Sequence, residues 1–179
     1  MDYQDFIVGN QEVLTGIIRD YSDGLILFLN GIVQNLTIAE ELAEDVFVKL
    51  VIKKPHFSSD SSFKTWLYAI GRNTAISYLR RKKHIHIPLE NCPELTDDET
   101  NLERQYIQKE QKIHLHCAMK KLKTEYRQVL WLVYFEGFSQ KETARILGKS
   151  VHNVETLAYR ARQALKAKLL EEGFEYENL

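Results

Sequence analysis

The sequence predicts an all-α protein: two small helical domains joined by an acidic linker, the C-terminal one containing a helix-turn-helix. Three observations carry this. No stretch alternates convincingly between apolar and polar residues, so no strand is expected. Apolar residues recur instead at three- and four-residue spacing, and Thr37/Glu40, Thr100/Glu103 and Ser139/Glu142 each have the Ser/Thr-x-x-Glu form that opens a helix. Charge is also divided along the chain. Residues 1–83 carry ten Lys/Arg against ten Asp/Glu, 84–110 two against seven, and 111–179 twelve against eight. A neutral half is thus tied by an acidic stretch to a basic half, which suits a polyanion at one end.

Composition bounds the class. With 179 residues, 44% of them hydrophobic, the chain can bury a real core as one domain or two small ones. Cys92 and Cys117 are the two cysteines, without metal-type spacing, and a reducing cytoplasm is the simple inference. The opening MDYQDFIVGNQEV lacks a basic region followed by an apolar core, and the run Leu25–Leu29 is far too short to span a bilayer. A soluble cytoplasmic protein without membrane insertion is expected.

In order, Asn10–Asp20 shows helical spacing through Val13, Leu14, Ile17 and Ile18, and Ser22–Gln34 through Leu25, Ile26, Phe28, Leu29, Ile32 and Val33. Gly24 and Gly31 each weaken the second helix by about 1 kcal/mol relative to Ala. Thr37–Lys53 is the clearest helix of this half, with Leu42, Val46, Phe47 and Leu50 as the buried stripe. Its acids, Glu40, Glu41, Glu44 and Asp45, favour the N-terminal half, and Pro55 stops it. After a polar loop, a helix over about 62–82 carries Phe63, Trp66, Leu67, Ile70 and Ile76, with Lys64, Arg72, Arg80, Arg81, Lys82 and Lys83. Aromatics beside cations suit single-stranded nucleic acid, although Trp66 reads mostly as core. Residues 84–99, with Pro88, Pro93 and the acidic run Glu94, Asp97, Asp98 and Glu99, read as linker. A helix over 100–122, a break at Lys123–Thr124 and a helix over 125–135 ending at Gly137 follow.

Phe138–Lys168 reads as helix, tight turn, helix. Ser139 caps the first, Thr143, Ala144 and Leu147 share a face, and Gly148 stands where a left-handed residue ends a helix. Ser150 caps the second, whose apolar stripe is Val151, Val154 and Leu157–Ala158. Arg160, Arg162, Lys166 and Lys168 supply cations for phosphates.

Three of these segments resemble the extracytoplasmic-function sigma factors of the sigma-70 family. Ala39-Glu40-Glu41-Leu42-Ala43-Glu44-Asp45-Val46-Phe47 is similar to the family helix that docks on core RNA polymerase. Phe63-Lys64-Thr65-Trp66-Leu67-Tyr68-Ala69-Ile70-Gly71-Arg72-Asn73, continuing to Leu79-Arg80-Arg81, resembles the segment that reads and melts the minus-ten element. Leu147-Gly148-Lys149-Ser150, continuing to Val154 and Tyr159-Arg160-Ala161-Arg162, is similar to the minus-thirty-five reader.

The resemblance implies domains at 1–83 and 100–179 flanking an acidic linker at 84–99. It implies polymerase contacts by Glu41, Leu42, Glu44, Asp45 and Phe47. Minus-ten contacts would come from Phe57, Ser58, Phe63, Lys64, Trp66, Arg72, Asn73, Arg80 and Arg81, with Phe57 and the serines holding a flipped base. Minus-thirty-five contacts would come from Lys149, Ser150, His152, Asn153, Glu155, Thr156, Tyr159, Arg160 and Arg162. Glu155 and Leu157 stand where relatives often carry Lys or Arg, and Glu155 could accept from a cytosine amino group. The partners implied are core RNA polymerase, promoter DNA as duplex and melted strand, and an anti-sigma factor.

Other classes fit less well. His114 and His116, two apart, diverge on a helix, so no metal and no cofactor are expected. Ser58, Ser59, Ser61 and Ser62 have no attendant base. Glu41, Glu44 and Asp45 are the only acid cluster an enzyme could use, and they read more simply as a docking face. The alternative is a stand-alone helix-turn-helix regulator, which would dimerise on a palindrome without polymerase.

Overall fold

The computed structural model describes residues 11–53, 57, 61–82 and 115–171. Among them every regular element is helical.

Helix α1, Gln11–Val33, is one continuous helix of 23 residues. The expected division near Asp20–Ser22 is absent because Val13, Ile17, Leu25, Phe28, Leu29 and Ile32 stay on one buried face and no proline intervenes. Gln34 turns the chain with a positive φ of 55°. Asn35 then caps α2, Leu36–Lys53, by accepting from the Ile38 amide at 2.9 Å. The Thr37/Glu40 box is therefore corrected: Asn is at least as good a cap and stands two residues earlier.

Helix α3, Phe63–Lys82, starts on Ser62, whose Oγ accepts from the Thr65 amide at 3.2 Å. Leu67, Tyr68 and Ala75 are buried, and Ile76 is exposed. Gly71 lets α3 approach α1 closely; an added Cβ would stand 2.7 Å from Leu25 Cδ1.

In the C-terminal half residues 115–120 are helical. After a turn come α4, Thr124–Leu130, and a π-helical turn, Trp131–Phe135. The wider turn was not expected. It is closed by Glu136 N donating to Trp131 O at 3.0 Å and Phe138 N to Leu132 O at 2.9 Å. Helix α5, Gln140–Leu147, and α6, Val151–Glu171, complete the fold.

The helices form two groups. Helix α1 packs on α2 and α3, and α2 on α3; α6 packs on α4 and α5. The groups also touch each other, α3 against α5 and α1 against α4. One apolar cluster runs from Leu25, Phe28 and Leu50 through to Val129, Ile146 and Val154. The segment expected as linker, 84–99, lies outside the described residues, as do the Thr100/Glu103 box, Ser58, Ser59, His84, His86, His114 and Cys92. Among the described residues no helix is long and apolar enough to cross a membrane.

Candidate nucleic-acid interface

The helix-turn-helix is built by local chemistry. Ser139 Oγ accepts from the Glu142 amide at 3.2 Å, and Glu142 Oε2 accepts from the Ser139 amide at 3.0 Å. Together they satisfy two of the four free N–H groups of α5. These bonds hold the Glu142 carboxyl below the usual carboxylate range, the Ser139 side chain contributing most. Gly148 ends α5 at φ 62°, ψ 39°, the left-handed conformation that Gly adopts without steric cost. Ser150 Oγ accepts from the Asn153 amide at 3.2 Å and starts α6.

Val154, Ala158 and Ala161 are the buried side of α6. His152, Asn153, Glu155, Tyr159, Arg160 and Arg162 are consequently exposed together, with Ser150 beside them and Thr156 half-buried. Val151 is exposed rather than part of the apolar stripe; it stands in the first turn, three residues ahead of the Val154 face. Lys149 is half-buried and its Nζ lies 3.1 Å from Glu125 Oε1. Such a pair near the surface is weak and can exchange for a phosphate. The surface is a rigid helix carrying acceptors, donors, a ring and cations, as base-edge and phosphate contacts require.

On α3 the side chains divide by face. Asn73, Arg80 and Arg81 are exposed. Phe57, Phe63 and Trp66 form an aromatic cluster, with centroids 5.4 Å apart for Phe57–Trp66 and 5.7 Å for Phe63–Trp66. Phe57 is buried, so its expected role as a base-stacking ring is corrected: it packs beneath Phe63 and Trp66, which are half-buried. Lys64 and Arg72 are both engaged. Lys64 Nζ is 2.9 Å from Glu136 Oε2, and Arg72 Nε donates to Gln128 Oε1 at 2.9 Å. Burial pushes the Arg72 guanidinium below its ordinary value.

A third surface lies on α2. Glu40, Glu41, Glu44 and Asp45 are exposed as expected. Leu42 and Phe47 are core residues, so they anchor α2 to its own domain and present nothing to a partner. The apolar part of the exposed face is instead Val48, Val51 and Ile52, the last 74% exposed. Sequence reasoning missed these three. The available signal was an excess of apolar residues in α2 beyond the single stripe that a core requires. Among the described residues no group of His, Cys, Asp and Glu could hold a metal ion; His116 is exposed and Cys117 half-buried.

Comparison with known proteins gives these surfaces a context. Residues 17–85 match the family model described as Sigma-70 region 2, and residues 113–165 the one described as Sigma-70, region 4. The chain is 32% identical over 162 residues to the RNA polymerase sigma factor YlaC of Bacillus subtilis, covering 89% of this chain and 94% of that one. It is 30% identical over 152 residues to the ECF RNA polymerase sigma factor SigM of the same organism, covering 84% and 91%. Among solved structures it is similar to CnrH, in complex with the cytosolic domain of CnrY, with a TM-score of 0.65, 25% identity and 95% of both chains covered.

Proposed function

Since the chain belongs to the extracytoplasmic-function sigma factors of the sigma-70 family, we propose that it binds core RNA polymerase and directs initiation at promoters whose minus-ten and minus-thirty-five elements it reads. It is an RNA polymerase sigma factor; the residue roles below are our reading of its surfaces. The observation that carries it is the capped, glycine-turned recognition helix α6, with one side buried and His152–Arg162 exposed.

Each surface has a task suited to its chemistry. Helix α6 enters the major groove, where Arg160 and Arg162 supply cations for phosphates or guanine and Glu155 accepts from a cytosine amino group. Helix α3 offers Asn73, Arg80 and Arg81 to the melted minus-ten strand. Phe63 and Trp66, earlier on the same helix, are half-buried on Phe57. Helix α2 offers a mixed face, acidic through Glu41, Glu44 and Asp45 and apolar through Val48, Val51 and Ile52, to a basic and apolar patch of polymerase. Neither binding nor melting requires covalent chemistry from the chain, and strand separation is driven by base capture and polymerase contacts. CnrH was solved with the cytosolic domain of CnrY; we infer a comparable protein antagonist for this chain, and a cytoplasmic site of action.

The test is run-off transcription from a randomised promoter library with purified core polymerase, with and without this protein. Protein-dependent transcripts sharing two blocks at fixed spacing support the reading, and Glu155→Arg should change the upstream block. Duplex binding without polymerase binding or transcripts would leave a stand-alone regulator instead.

A further inference from the structure

A cavity of about 350 Å³ lies between α1 and the first elements of the C-terminal half. Its walls are mainly apolar. Leu27 comes from α1, Leu115 and Met119 from the helical residues 115–120, and Trp131 and Phe135 from the π-helical turn. That turn sets the two rings in a parallel stack, with centroids 4.5 Å apart and planes at 9°. Leu27 and Phe135 are 42% and 50% exposed, so part of this apolar wall is left facing solvent.

Gly31 also lines the cavity. It stands in the interior of α1, where glycine is a poor helix former, and its φ is not positive. No neighbour requires the missing side chain, because an added Cβ would meet nothing within 4 Å. Gly24 and Gly71 differ: an added Cβ would stand 2.6 Å from Tyr68 Oη at the first and 2.7 Å from Leu25 Cδ1 at the second. Those two glycines permit close packing, whereas Gly31 leaves open space beside the Trp131–Phe135 stack.

The charged part of the wall has one sign. Lys120 and Arg127 line the cavity, and among the described residues no Asp or Glu does. The Arg127 guanidinium has five N–H groups. Four are spent, on Gly31 O, Lys120 O, Leu122 O and Thr124 Oγ1. Among the described residues the remaining Nη2 N–H has no acceptor and the cation no carboxylate. Arg127 is 6% exposed, and a buried charge without a counter-charge is costly. Asn30, half-buried in the same wall, likewise keeps its side-chain amide without a partner among the described residues.

We infer that this cavity binds an organic monoanion: a flat aromatic body of one or two rings lies against Leu27, Met119 and the Trp131–Phe135 stack, and its carboxylate meets Arg127 and Lys120. At the ~30 Å³ that a water molecule takes in the liquid, the volume holds roughly a dozen heavy atoms, which is the size of such a body. Apolar walls with a few placed polar groups are the usual make-up of a small-molecule site. Ring walls favour an aromatic ligand over an aliphatic one of equal volume, because ring pairs gain beyond the area they bury. Binding there needs neither polymerase nor DNA, so it goes beyond promoter reading and is independent of it.

Isothermal titration calorimetry on the full chain tests this with naphthoate, with naphthalenemethanol and naphthylmethylammonium as its neutral and cationic counterparts. Naphthoate should bind with a Kd of about 10–100 μM. The alcohol should bind about tenfold or more weakly and the ammonium more weakly still, since charge-assisted bonds to a carboxylate are lost. Gly31→Leu puts a side chain into the cavity while favouring the helix; it should abolish naphthoate binding and keep wild-type circular dichroism. Leu27→Glu changes an exposed position and sets a carboxylate beside the ligand; it should weaken naphthoate about tenfold and the alcohol much less. If Gly31→Leu does not keep its circular dichroism, the order of the three probes and Leu27→Glu decide. No saturable naphthoate binding up to about 1 mM, an alcohol that binds as tightly, or a folded Gly31→Leu that binds as wild type overturns the site. Run-off transcription without added naphthoate tests the sigma reading separately, so failure of either leaves the other standing.

Discussion

Replacing Arg127 by Met removes a buried cation that holds the first turns of the C-terminal half together and ties them to α1. Arg127 is 6% exposed. Its Nε donates to Gly31 O at 2.6 Å, Nη1 to Lys120 O at 3.3 Å and to Leu122 O, and Nη2 to Thr124 Oγ1 at 2.9 Å. Among the described residues no carboxylate pairs with it, so the charge is met there by three carbonyl dipoles and the Thr124 hydroxyl, and burial pushes its pKa down. Methionine keeps much of the aliphatic stem and its packing. The loss is then in the acceptors. Leu122 O is in the buried part of the site and should cost about 1–3 kcal/mol when orphaned, while Gly31 O and Lys120 O, nearer the edge, can be partly rehydrated. Relief of the guanidinium's own desolvation offsets some of this. A net destabilisation of about 2–4 kcal/mol follows, which for a chain of this size lowers Tm by roughly 5–15 °C. Urea and thermal unfolding followed by circular dichroism would measure it. Arg127→Lys, which keeps the charge but not the fork, should fall between wild type and Arg127→Met. If Arg127→Met is within about 0.5 kcal/mol of wild type, the carbonyl contacts contribute nothing and the account of a dipole-balanced guanidinium is wrong.

Three further outcomes are expected. Leu42→Ala should cost about 2–5 kcal/mol in urea unfolding, whereas Ile52→Glu should leave stability within about 0.5 kcal/mol and weaken polymerase binding in a pull-down titration about tenfold or more; equal stability losses would refute the division of α2 into core and docking faces. Ser139→Ala should cost about 1 kcal/mol in thermal unfolding. Because the Glu142 pKa is lowered by folding, chiefly by Ser139, that carboxylate's contribution is present above the ordinary glutamate value of about 4.3 and lost as pH falls through its lower folded value, so Ser139→Ala should flatten the acid limb of the stability profile. Tyr68 has the opposite sign: its folded pKa is raised, so the unfolded chain loses the proton first above about pH 10 and stability falls as pH rises from there. Tyrosinate absorbance should show a component that titrates only on unfolding, and Tyr68→Phe should remove it.

Much of the architecture is readable from short-range chemistry. The helix-turn-helix follows from a Ser and a Glu three residues apart, a Gly where φ must be positive, and a Ser at the next helix start; each decides its own backbone within one turn, and the structure carries all three. The acidic side of α2 and the exposed side of α6 were likewise legible, because an amphipathic period assigns faces without knowledge of the partner. The limits of that reasoning show at α1, read as two helices, and at the α2 cap, where Asn35 outcompetes Thr37.

What the sequence by itself determined is therefore the helical class, the recognition helix and the charge of each half. Only the tertiary structure decided which side chains remain available. Leu42 and Phe47, a buried stripe by their spacing and polymerase contacts only by resemblance, are core, as is Phe57, while Val48, Val51 and Ile52, apolar residues outside that stripe, are surface. Lys64 and Arg72 read as cations for DNA, yet their partners Glu136 and Gln128 lie 72 and 56 residues away. Helical periodicity reports that a face exists, at a range of three or four residues. It carries no information about which distant carboxylate will meet a lysine there, because that is set by how whole helices pack against one another.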